Sequence, residues 1–147
     1  MDRDLFLQAA LDEAKLGLSE GGIPIGSVLV SEGKIIGRGH NCRVQTGSAI
    51  DHGEMNCLRN AGRLPSRVYR SSTMYSTLSP CPMCSGAIVL YKIPHVIVGE
   101  NKNFVGAEDY MRSQGVRVDV LQDDECIQLM QKFITENPSL WNEDIGV

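Results

Sequence analysis

The sequence predicts an α/β fold: a three-layer α/β/α sandwich, with helices on both faces of a five-stranded mixed central sheet. Three observations predict it. Short β-branched runs alternate with longer segments whose apolar residues recur every three to four positions. After an opening helix the elements read β-β-α-β-α-β-α-β-α, the order of an α/β domain. The chain has 147 residues, 42% of them hydrophobic and 22% charged, enough to build one buried core under a charged surface. No repeat, linker or low-complexity stretch divides it, so residues 1–147 read as a single domain.

Each element has its own signal. Asp4 to Leu18 reads as a helix through Leu5, Ala9, Ala10, Ala14 and Leu18, with Gly21, Gly22 and Pro24 ending it. Ile25 to Val30 is a short apolar strand. Glu32-Gly33 makes a tight turn into a second strand beginning at Lys34 to Gly37, which gives a hairpin. Asn41 to Asp51 is polar and reads as a loop. His52 to Ala61 reads as a helix stopped by Gly62, and Thr73 to Thr77 as a strand. Ser79-Pro80-Cys81-Pro82 opens a helix running to about Tyr91, with Pro82 at a first-turn position where its missing N–H costs nothing. His95 to Val98 is a strand, Ala107 to Ser113 a short helix, and Val116 to Leu121 a further strand. Asp123-Asp124-Glu125 caps a last helix to about Glu136, and Pro138 ends it, leaving Ser139 to Val147 as a tail.

Charge and cysteine content narrow the function. The net charge is −4. Proteins that grip a phosphate backbone usually carry an excess of Lys and Arg. The modest basic run Arg59, Arg63, Arg67 and Arg70 reads as a solvated face, so no nucleic-acid partner is expected. No segment approaches the ~20 apolar residues of a membrane span, and charged residues interrupt Met1 to Gly17, unlike a secretory signal; a cytoplasmic location is expected. Five cysteines, Cys42, Cys57, Cys81, Cys84 and Cys126, are an odd count that argues against a disulfide framework. Metal binding, catalysis or buried thiols remain.

The chemistry is concentrated in His52-Gly53-Glu54 and Pro80-Cys81-Pro82-Met83-Cys84. Either alone is a weak signal. Each opening a helix, the two together match the zinc deaminase signature. Cys81 and Cys84 are three apart, so one helical turn aims both thiolates at one point. The helix N-terminus favours their ionised form. His52 would add a nitrogen, and three protein ligands leave the fourth tetrahedral position to water, as a catalytic zinc requires. Glu54 would move protons between that water and the reacting ring. Residues two apart on a regular helix point to opposite sides, so His52 and Glu54 converge only if His52 sits at an irregular helix start, with Asp51 as its cap.

Other readings stand beside this one. A structural zinc would need a fourth ligand, from Cys57, Cys42, His40 or His95. Cys42, Cys57 and Cys126 also read as core thiols, His95 as a core or edge histidine, and Met74, Met83 and Met130 as packing. The segment with Leu140, Trp141, Asp144 and Ile145 is either docked onto the body or a lid that keeps water from a pocket.

The chain also resembles the fungal-type cytosine deaminases of the cytidine deaminase-like superfamily, over nearly its whole length. The matching stretches are Glu20-Gly21-Gly22-Ile23-Pro24-Ile25-Gly26, Gly37-Arg38-Gly39-His40-Asn41, His52-Gly53-Glu54, Thr77 to Ile88, Val98-Gly99-Glu100-Asn101 and Trp141 to Gly146. The resemblance implies one zinc per chain on His52, Cys81 and Cys84, Glu54 as the catalytic acid and base, and a homodimer. It implies that Asn41, the Gly53 N–H and Asp144 contact a small-molecule base, cytosine first, and that Phe104, Trp141 and Ile145 pack over it as pocket and lid. Isocytosine, creatinine and guanine remain alternatives within that chemistry, as does a nucleoside. A tRNA adenosine deaminase shares the zinc motifs, and a non-catalytic zinc module would have no use for Glu54.

Overall fold

The structure, a computed structural model, describes residues 4–147; the first three residues of the charged opening segment lie outside them. Helix α1 spans Leu5–Ser19. The Asp4 side chain caps it, accepting from the Phe6 N–H at 2.8 Å, the usual way to satisfy a free N-terminal donor. Its buried face is Leu7, Ala10, Leu11 and Ala14, with Ala9 beside it. Leu5 and Leu18, read from sequence as part of that face, are exposed. The 3.6-residue period places Leu5 on the face opposite Leu7, whereas Leu18 stays on the stripe of Leu7 and Ala14 and is exposed because it stands in the last turn.

Strand β1 (Gly26–Ser31) pairs antiparallel with β2 (Lys34–His40) through the Glu32-Gly33 turn, both residues at positive φ. β2 runs to His40, beyond the predicted start at Lys34 to Gly37. Two short helices follow in regions with no clear period: α2 (Arg43–Thr46), inside the predicted loop, and α4 (Ser66–Arg70). Between them lies α3 (Gly53–Ala61). The remaining order is β3 (Ser72–Ser76), α5 (Pro82–Leu90), β4 (His95–Val98), α6 (Glu108–Ser113), β5 (Arg117–Val120) and α7 (Asp124–Glu136). The predicted tail is instead a helix, α8 (Pro138–Asp144). Pro138 sits in its first turn, where proline is tolerated, so the residue read as a terminator is a starter.

The sheet order is β2-β1-β3-β4-β5, antiparallel between β2, β1 and β3 and parallel from β3 to β5. Alternation along the strands sends side chains to two cores. Val28, Val30 and Tyr75 face α1, with Cys126 of α7 in the same cluster. Leu29, Met74, Val96, Val98 and Val118 face the other way, onto Cys57 of α3, Ile88 of α5 and Met111 of α6. The three-layer α/β/α sandwich with a mixed five-stranded sheet is therefore present as the sequence predicts. Met74 and Met130 are packed in cores, whereas Met83 is only partly covered.

Register fixes where a site can form. Gly26, at the start of β1, pairs with His40 at the end of β2, and the next residue, Ser27, pairs with Ser76 at the end of β3. Val98 at the end of β4 pairs with Ser76. The loops leaving β2, β3 and β4 thus meet at one sheet edge, the location expected of α/β sites. A third apolar cluster lies there: Ile23, Ile25, Leu78, Met130, Phe133 and Trp141, with Phe104 and Ile145 against it.

Candidate metal and catalytic centre

Two helix starts bring the ligand-type residues together. His52 is the N-cap of α3, with extended backbone (φ −67°, ψ 162°). Its side chain is therefore off the helical register, and it and Glu54 converge despite being two residues apart. Asp51 is not the cap. It is buried and accepts from Arg59 at 2.8 Å and from Thr46 at 3.0 Å, which anchors the turn before α3. Cys81 is the N-cap of α5, with Pro82 in the first turn. One ligand atom each from His52, Cys81 and Cys84 lies within 4.8 Å of the other two. His52 Nδ1 is 3.5 Å from Cys81 Sγ, and the Cys84 N–H is 3.5 Å from the same sulfur.

Electrostatics follow from this packing. The Cys81 thiol is pushed down to about 4, chiefly by hydrogen bonding with Cys84 and further by His52, against the effect of burial. Cys84 moves up because the two sulfurs share one proton and because it is buried. Glu54 is pushed up to about 7, first by burial and then by the negative Cys81. Two soft sulfurs and one imidazole, three ligands in all, fit a zinc ion with one coordination position left open. Asp144 Oδ1 stands 3.7 Å from His52 Nε2. The imidazole thus turns one nitrogen to the metal position and the other toward a carboxylate, the usual orientation of a ligating histidine.

The cavity beside these residues is nearly closed. Ile25, Gly53, Glu54, Leu78 and Ser79 line it from the sheet edge and helix starts; Phe104, Trp141, Asp144 and Ile145 cover it. Its free volume is about 20 Å³, room for roughly one water and too little for a pyrimidine ring. Phe104 and Trp141 meet edge to face, ring centroids 5.8 Å apart. Asn41 is fully buried but does not line the cavity. Its Nδ2 donates to Asp144 Oδ1 at 2.8 Å, and its Oδ1 accepts from the Arg43 N–H at 3.1 Å. All ten residues singled out from the sequence therefore gather at one place, Asn41 through Asp144.

Several residues of the site were not singled out from the sequence. Ile25, Leu78 and Ser79 belong to the lining. Arg43 Nη1 lies 3.6 Å from Asp144. Ser79 donates to the buried Glu108 at 2.6 Å and accepts from the Gly106 N–H at 2.9 Å. A Cβ on Gly106 would stand 1.8 Å from the Pro80 carbonyl oxygen, so only glycine lets this loop press against the turn before Cys81. Glu100, fully buried, accepts from the N–H groups of Lys102 and Asn103 at 2.7 and 3.0 Å and so shapes the loop leading to Phe104. Nothing in the spacing of Glu100, in a loop, or of Glu108, at the start of α6, marks either as part of the site.

Comparison with known proteins agrees with this geometry. The profile of the cytidine and deoxycytidylate deaminase zinc-binding region matches residues 1–100. A cytosine deaminase of Candida albicans is 57% identical over 141 residues, covering 95% of this chain and 94% of that protein. A tRNA-specific adenosine deaminase of Streptococcus pyogenes is 40% identical over 146 residues, 92% of this chain and 91% of its own. Among solved structures, one from a study of tRNA:A34 deaminases superimposes with a TM-score of 0.70 at 27% identity, over 86% of this chain and 99% of that one. The guanine deaminase of Nitrosomonas europaea shares the fold, with a TM-score of 0.73 at 16% identity over 88% and 83% of the two chains.

Proposed function

The chain belongs to the zinc-binding cytidine and deoxycytidylate deaminase family, and on that premise we propose that it hydrolyses free cytosine to uracil and ammonia. The observation that carries this reading is the buried Glu54 beside His52, Cys81 and Cys84 in a cavity sealed by Phe104 and α8. The 57% likeness to a cytosine deaminase supports the substrate.

His52, Cys81 and Cys84 hold the zinc. When bound, zinc lowers the pKa of a water to about 7 and so supplies a nucleophile. Glu54, whose carboxyl sits near neutrality, accepts a proton from the attacking water and delivers protons to the ring nitrogen and the departing amine. Water adds its oxygen to the amino-bearing ring carbon, and the amino group leaves as ammonia. Asn41 and the Gly53 N–H hold the edge of the base, with Asp144 near the amine. The cost is visible in the sealed site: Asn41 and Asp144 already bond each other at 2.8 Å, so the base exchanges one good hydrogen bond for others. Phe104, Trp141 and Ile145 cover the ring and keep bulk water from the reacting centre.

The same reading takes residues 1–147 as one deaminase domain, acting in the cytoplasm in pyrimidine salvage, on a small base and not on nucleic acid. Among the described residues no helix is long and apolar enough to cross a membrane. A homodimer is part of the proposal. A groove of about 810 Å³ runs along α3, α4 and α5, lined by Ile50, Met55, Leu90 and Tyr91 together with Arg59, Arg63 and Arg70 of the basic run. Leu90 is 68% exposed there, and exposed apolar groups gathered in one groove mark an interface.

Ultraviolet spectra of the zinc-loaded protein with cytosine, beside Glu54→Ala, test the reaction. Conversion by the parent alone, with zinc content equal in both, is the expected result. An inert mixture with cytosine, together with inosine formed in a tRNA anticodon stem-loop, would overturn the free-base reading in favour of the other activity found among the relatives.

A further inference from the structure

His40 and Cys42 flank Asn41 at the end of β2, and neither belongs to the His52 centre. Their third neighbour is Glu20, the residue that closes α1. One ligand atom each from Glu20, His40 and Cys42 lies within 4.8 Å of the other two, the same closeness found at His52, Cys81 and Cys84. We propose that Glu20, His40 and Cys42 form a second metal site, for a borderline divalent cation of the zinc or cobalt class.

The donor set chooses that class. A thiol and an imidazole beside one carboxylate suit zinc, cobalt or nickel, whereas calcium and magnesium want oxygen alone. The imidazole is also mounted as a ligand. Its Nδ1 is 2.9 Å from Glu13 Oε1, and its Nε2 faces Glu20 Oε1 at 2.8 Å. Glu13 is buried and is itself fixed by Arg38 Nε at 2.9 Å. A carboxylate on one ring nitrogen, holding the other toward the metal, is the support that ligating histidines require. The ring further packs on Gly17, where a Cβ would meet it at 2.9 Å.

A fourth ligand, an oxygen, stands nearby. The Gln45 Nε2 bonds Glu20 Oε1 at 3.2 Å and the Asn41 carbonyl at 3.3 Å, while Gln45 Oε1 is the buried side-chain atom without a hydrogen-bond partner among the described residues. Turning the amide by half a revolution presents that oxygen to a cation held by Glu20. Glu20 is the exposed member and gives the ion a path from solvent. Binding releases the Cys42 thiol proton, and the Nε2 proton where the imidazole is charged.

The test adds cobalt to the zinc-loaded enzyme and counts both metals by elemental analysis after gel filtration, with the thiolate-to-cobalt absorption recorded. The expected result is one retained zinc plus one cobalt per chain. Cys42→Ser should abolish the new absorption, and Glu13→Gln, which leaves every ligand in place, should weaken cobalt binding by about 10- to 100-fold. A parent that retains zinc and gains no cobalt overturns the proposal without recourse to any variant. So does cobalt bound equally by parent, Cys42→Ser and His40→Gln. Cobalt gained at the expense of zinc would report exchange at the His52 centre and also count against a second site.

Discussion

Glu54 shows how much one side chain depends on its burial. The carboxyl is pushed up to about 7 because the site is closed around it, which poises it to accept and to return a proton at neutral pH. Glu54→Gln keeps the size and loses the proton transfer; kcat should fall by roughly 10²- to 10⁴-fold while zinc content, read by elemental analysis, stays at the parent level. A different signature belongs to His40. Burial alone would lower its pKa, but hydrogen bonds to Glu13 and Glu20 outweigh that and raise it above 6.5. A raised folded-state pKa stabilises the protein fully below the unfolded value and progressively less as the pH climbs through the folded one. His40→Gln should therefore cost stability at pH 6 and little at pH 9, measured by urea unfolding without added metal; an equal loss at both would mean that packing on Gly17, and not charge, is what His40 supplies. The ligands and Glu54 were legible in the sequence because their chemistry dictates their spacing. Glu108 and Arg43 were not, because each acts on a partner far away in the chain, Ser79 and Asp144 respectively, and no local pattern records that partner.

At the scale of elements, α8 carries the largest departure from the sequence reading. Pro138 has the same chemistry whether it stops a helix or starts one, and only Trp141 packing at the sheet edge decides which. The strands, by contrast, could be read because burial against two cores leaves short continuous runs of apolar and β-branched residues. α2 and α4 are too short to show any period. With Trp141 6% exposed and set edge-on to Phe104, α8 is held by its aromatic contact and by Asp144. Trp141→Ala should raise KM for cytosine several-fold with zinc content unchanged, since the covering surface is lost and the metal ligands are not. Loss of zinc in step with activity would show instead that α8 props up the metal centre.

For the whole molecule, the five-stranded mixed sheet and the three layers followed from the alternation of elements, whereas the order of the strands and how copies associate leave no periodic trace in one chain. The groove along α3, α4 and α5 makes the expectation concrete. Leu90→Glu places a charge in the middle of its apolar rim and should shift the protein from dimer to monomer in sedimentation at micromolar concentration; a monomeric parent would remove the homodimer from the proposed function. One arrangement described above also bears on how the molecule comes into being. His52, Cys81 and Cys84 all precede Trp141, Asp144 and Ile145 along the chain, so a ribosome releases the metal-binding half first and the cover last. During that interval the centre is open and can acquire its ion from the cell. Once the final helix folds down, a cavity of about 20 Å³ is left, so any later exchange of the ion, like each entry of the base, has to wait for Phe104 or α8 to move aside.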